Sequence, residues 1–177
     1  MKKIIKMLLW AVLALFGSNC SDSQPVRSID SLGARLVAYD EGGTERTKFE
    51  ANTNISFALS FTNKSDQDID AGSHFQFCDV YQEEEFLLIY KWVREDNGEE
   101  NWMPYGKPYQ EPVACPTINV PLIIPARSEA KVHGGTWNNV PDNLPFTAGK
   151  YYTAFSFELE LDGQSRKHDL KLEFEVY

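Results

Sequence analysis

Three cysteines and three histidines are the residues of this chain best suited to covalent or metal chemistry. Cys20 closes an apolar run, whereas Cys78 and Cys115 fall inside the polar body of the sequence. His74, His133 and His168 are scattered, with no His-x-His, Cys-x-x-Cys or G-x-S-x-G element around them. Neither a zinc site nor a serine or cysteine nucleophile is written in that spacing. His74 and Cys78 can share one strand face, which keeps metal or small-ligand binding as an alternative, but no ligand set is complete. No metal and no other cofactor is expected. Asp66, Asp68 and Asp70 alternate in "DQDID", a carboxylate spacing that a calcium loop also uses. The glycine and terminal glutamate of an EF-hand are missing, so a solvated turn is expected. "HGGTW" pairs two glycines without the spacing of a phosphate cradle. No catalytic residue emerges, and the chain is not expected to be an enzyme.

Cys20 sets the compartment. The chain starts Met1-Lys2-Lys3, with Lys6 close behind, and runs uncharged from Met7 to Asn19. Its strongly apolar part, "MLLWAVLALF", is well short of the roughly 20 residues a spanning helix needs. A basic start, a short apolar stretch and small residues before a cut describe a secretory signal over residues 1–19. Gly17-Ser18-Asn19-Cys20 resembles a bacterial lipobox, in which the cysteine thiol is acylated and becomes the new N-terminus. Each buried methylene of an acyl chain contributes about 0.8 kcal/mol, so two or three chains, palmitate among them, anchor a protein firmly. Residues 20–31 then form a polar tether, and residues 32–177 form the domain. The expected location is the cell envelope, lipid-anchored on the outer membrane, facing the periplasm or the surface.

Loss of the leader removes Lys2, Lys3 and Lys6 and no acid, moving the net charge from −9 to −12. Such a surface repels phosphate backbones, so nucleic acid is excluded as a partner. The acyl group is left as the membrane contact, and the remaining partner is a protein or another envelope ligand. With Cys20 acylated, Cys78 and Cys115 are an even pair in an exported chain, which reads as a disulfide. Closing so long a loop is worth about 4 kcal/mol in the chain-entropy account. In the tether, Asp30-Ser31-Leu32 resembles an Asp-Ser/Thr-aliphatic acceptor for O-glycosylation, making Ser31 a candidate modification site.

The elements that must position these residues are strands. "ISFALSF" puts Ile55, Phe57, Leu59 and Phe61 on one face, and "YYTAFSFELEL" repeats the alternation from Tyr151 to Leu161. Asp162-Gly163 is a hairpin turn, and "LKLEFEV" carries Leu170, Leu172, Phe174 and Val176 inward. "ARLVAYD", "HFQFCDVY", "FLLIYKWV", "INVPLII" and "EAKVHGGTW" are shorter candidates. Pro121 pushes its strand to an edge, and "PARSE" reads as a hairpin-type turn. Seven or eight short strands at this spacing predict an all-β, antiparallel two-sheet sandwich, with a small β-barrel as the alternative. Residues 94–117 do not alternate and read as one long loop, pinned by Cys115. Trp102, Met103, Tyr105 and Tyr109 lie in it. They form either a partner-binding surface or a cap on one end of the sandwich.

The order of features has a counterpart. "FTNKSD", "AGSHFQFCDVY", a Trp-bearing strand, "PLIIPARSEAKV", "TW" and "FTAGKYYTAFSF" together resemble the intracellular proteinase inhibitor (BsuPI-like) family. The resemblance covers roughly residues 50–160 and rests on Asn63, Phe75, Phe77, Trp137, Gly149 and Tyr151. It implies an immunoglobulin-like sandwich. It also implies an alternative function, protease inhibition in the envelope, although no inhibitory-loop residue can be matched.

Overall fold

The computed structural model describes residues 29–71, 86–109, 122–137 and 144–177. Among these, a 3-10 turn at Ile29–Ser31 leads into ten strands. They are β1 (Leu32–Tyr39), β2 (Lys48–Phe49), β3 (Ile55–Asn63), β4 (Ile69–Asp70), β5 (Ile89–Arg94), β6 (Glu100–Gly106), β7 (Ile123–Ile124), β8 (Glu129–Trp137), β9 (Gly149–Leu161) and β10 (Gln164–Val176). Three sheets result, ordered β1-β3-β8, β2-β10-β9-β5-β6 and β4-β7. No helix among the described residues is long and apolar enough to cross a membrane.

The two larger sheets make a sandwich. β1, β3 and β8 hold the places of A, B and E in the immunoglobulin order, and β10, β9, β5 and β6 hold those of G, F, C and C′. Every pairing is antiparallel except that of β2 with β10. Phe57 of β3 meets Phe174 of β10 at 5.7 Å between centroids, and Phe61 meets Phe157 of β9 at 6.1 Å. These edge-on and tilted contacts join the inner faces, and each buried ring contributes about 1.5–3 kcal/mol through area removed from water. The β9–β10 hairpin is the longest ladder, closed by Asp162 and Gly163 at φ 50° and 75°, the left-handed values a two-residue hairpin turn requires. Tyr151, near the start of β9, donates its hydroxyl to the Thr147 carbonyl at 2.7 Å. That is the tyrosine corner of this architecture.

Several sequence expectations change. Residues 94–117 are not one loop, because Glu100–Gly106 is β6, paired with β5 from Arg94↔Glu100 to Ile89↔Gly106. "PARSE" does not close a hairpin: β7 pairs with β4, while β8 pairs with β3, so the chain changes sheets there. β3 is buried on both faces, since Ser60 and Ala58 are covered as well as the expected apolar row. Glu129 accepts from Ser60, and the Arg35 guanidinium lies across Glu45 and Glu129, closing the outer side of that sheet. The packed domain also reaches back past residue 32, because Ile29 belongs to the core.

Candidate functional site

Outward positions of the five-stranded sheet carry an aromatic group. Tyr90 and Trp92 alternate with Ile89 on β5, so they point away from the core that buries Ile89. Cross-strand register places Trp102 of β6 opposite Trp92 and Tyr152 of β9 opposite Tyr90. Tyr90 and Tyr152 stack at 4.8 Å and 8°, Trp92 and Trp102 lie at 4.9 Å and 64°, and Trp102 stands edge-on to Tyr152 at 4.6 Å. The Lys171 ammonium lies 4.9 Å from the Tyr152 ring centre, within cation–π reach. All four rings are half-buried. They are held by one another and by the sheet beneath, which keeps them rigid without hiding them.

Beside the two tryptophans runs an open groove of about 610 Å³. Its walls include Thr47, Lys48, Glu100, Lys150 and Glu173. Lys48 pairs with Glu175 at 3.3 Å, and Lys171 pairs with Glu173 at 2.6 Å. The rim therefore presents ammonium donors and carboxylate acceptors side by side. A second, smaller groove of about 370 Å³ lies at the end of the sandwich near Asp40, Arg46 and Tyr177, and the Arg46–Asp40 ion pair crosses it.

The four aromatic and thioether residues anticipated as a contact surface do not share one face. Trp102 belongs to the outward group. Tyr105 lies inward, as strand alternation from the outward Trp102 requires, and a β-bulge leaves it without a partner of its own on β5. Its ring stacks on Trp137 and Phe146 at 5.5 Å and 5.7 Å, and its hydroxyl donates to the Pro145 carbonyl at 2.6 Å. Burial pushes that phenol above its ordinary pKa. Tyr105 is thus an end cap of the core. Met103 sits opposite Lys91, exposed. Tyr109 is exposed too, its backbone bridged to Thr136 of β8 at 2.9 Å in both directions. Tyr90, Trp92 and Tyr152 were not singled out in the sequence. The signal was there: each is an aromatic at the outward position of an alternating strand.

The remaining candidates have structural occupations. Asp66 pairs with Arg127 at 2.6 Å, and Asp68 accepts from the Ala126 amide at 2.9 Å, so both carboxylates fasten the residue 125–128 turn. Asn63, buried at the end of β3, donates to the carbonyls of Gln67, Ile124 and Pro125 and accepts from Ser65. His168 is buried and stacked on Phe157 at 5.1 Å, while His133 is exposed beside Thr136. Among the described residues no group of three His, Cys, Asp or Glu is placed to hold a metal. Ser31 ends the 3-10 turn, with its carbonyl accepting from the Lys64 amide at 2.8 Å, and Leu32 after it is buried. The acceptor tripeptide thus stands where the packed domain begins. Lipidation at Cys20, the Cys78–Cys115 bond and the His74–Cys78 site all fall outside the described residues.

No family model, curated protein or solved structure matches the chain.

Proposed function

We propose that this chain is a lipid-anchored binding module of a bacterial cell envelope, with no catalytic role, whose contact face is the outward aromatic side of the β9-β5-β6 sheet. The observation that carries the reading is the group of Tyr90, Trp92, Trp102 and Tyr152, half-exposed and packed ring against ring beside a groove. Large rigid rings give contact area at low entropic cost, which is why such residues dominate binding energy at interfaces. The groups otherwise suited to acid–base chemistry are engaged elsewhere: His168 in the core, Asp66 and Asp68 in a turn. The anchor rests on the sequence around Cys20, and the face rests on the sheet, so the two parts are tested separately.

For the anchor, cells expressing the full chain are fed labelled palmitate and fractionated. The wild type should carry label and sediment with membranes. Cys20→Ala should lose both properties. Unlabelled wild-type protein in the soluble fraction would overturn the anchored reading.

A further inference from the structure

The groove restricts what can lie against the aromatic face. Trp92 and Trp102 supply ring faces carrying partial negative charge, which attract polarised C–H groups and cations. The rim decides between those two. Lys48 and Lys150 stand among Glu100, Glu173 and Glu175, so the strong acidity of the chain is not concentrated here. Two of the carboxylates are already ion-paired, Glu175 with Lys48 at 3.3 Å and Glu173 with Lys171 at 2.6 Å. A cationic ligand would meet the lysines, and an anionic one would meet three carboxylates. A neutral hydroxyl both donates and accepts, so it satisfies an ammonium and a carboxylate together without breaking either pair. The volume, about 610 Å³, lies within the range of roughly 300–1,000 Å³ for small-molecule sites, and the groove is open rather than enclosed. An extended ligand can therefore enter from the side.

Resting on the reading of this face as the contact surface, we infer that the groove binds a neutral oligosaccharide. A pyranose ring lays its C–H face on the Trp102 indole. Its hydroxyls reach the Glu100 carboxylate on one side and the Lys150 ammonium on the other. Trp92, directly across the ladder, flanks the same ring or its neighbour. The half-buried state of both indoles suits this, since each is fixed before the sugar arrives and little ordering cost remains.

The test titrates the full-length protein, held in a non-glycosidic detergent, with cello-, manno-, xylo- and N-acetylchito-hexaose. Indole N–H signals are followed by NMR, with the buried Trp137 as the internal reference. At least one neutral hexasaccharide should shift the Trp92 and Trp102 signals saturably and leave Trp137 in place. Trp102→Ala should weaken that binding by about tenfold or more. Glu100→Gln, an exposed rim change that leaves the core intact, should weaken it by about fivefold. No shift with any of the four at millimolar concentration overturns the sugar assignment and leaves the palmitate result standing. A shift of the same indoles by an oligolysine peptide or an oligogalacturonate, with none from the neutral sugars, overturns the assignment while keeping the face as a binding surface. Sugar binding that survives both substitutions overturns it as well.

Discussion

Tyr151 and Tyr152 are neighbours in sequence with opposite occupations. The first closes the tyrosine corner on Thr147 inside the sandwich, and the second stacks on Tyr90 outside it. Strand alternation alone produces the division, since successive side chains point to opposite faces. His168 shows a cost at the same scale. Its ring lies inward on β10, and no partner for its Nε2 is found among the described residues. Burial first, and the Arg166 cation second, hold it below the ordinary histidine range. The unfolded chain therefore takes up a proton as pH falls below about 6.5, while the folded ring stays neutral. Stability is full above that pH and declines as pH drops toward the folded pKa, by at most about 1.4 kcal/mol per pH unit. Urea midpoints at pH 7.5 and 5.5 should differ in the wild type and converge in His168→Gln. An equal loss in that variant would remove the argument.

At the scale of elements, two bulges do what periodicity cannot. In β6 alternation puts Trp102 outward and Tyr105 inward, and the bulge lets Gly106 follow Tyr105 on the inner side, against Trp137. In β8, His133 faces Ala58 and Gly135 faces Phe57, so Gly134 is the extra residue. This explains the paired glycines of "HGGTW". A Cβ on Gly134 would stand 2.6 Å from the Leu87 Cδ1 and 3.2 Å from the Phe57 carbonyl oxygen. Gly134→Ala should then cost about 1–3 kcal/mol in urea unfolding, the usual range for overpacking a core. A neutral result would mean that Leu87 yields freely. The turn at residues 125–128 makes the same point through hydrogen bonds. Asn63 satisfies carbonyls from two segments far apart in sequence, so the residue is legible as polar but its office is not. Of the residues that carry the resemblance, Asn63, Trp137, Gly149 and Tyr151 are described, and Asn63, Trp137 and Tyr151 hold the architecture together.

Across the whole molecule, the β4–β7 ladder joins two segments far apart in the chain. Asp70 faces Ile123, Ile69 faces Ile124, and the Ala71 amide bonds the Leu122 carbonyl at 2.9 Å. The Cys78–Cys115 bond expected from the sequence lies outside the described residues and is tested directly. Cys115→Ser should lower stability by about 2–5 kcal/mol, read by urea unfolding alongside a thiol titration. Two free thiols in the wild-type protein recovered from the envelope would sink the bond.

What the sequence determined by itself is the all-β class, the β9–β10 hairpin with its turn, and the inward rows of β3, β9 and β10. Each follows from period-two alternation and turn chemistry, which are local. Only the tertiary structure decided that Glu100–Gly106 is a strand, because its apolar residues alternate poorly and the β5 ladder supplies the order. It alone set Trp92 and Tyr152 beside Trp102. Those groupings depend on register between strands distant in the chain, and a single strand's pattern carries no information about which neighbour it will meet.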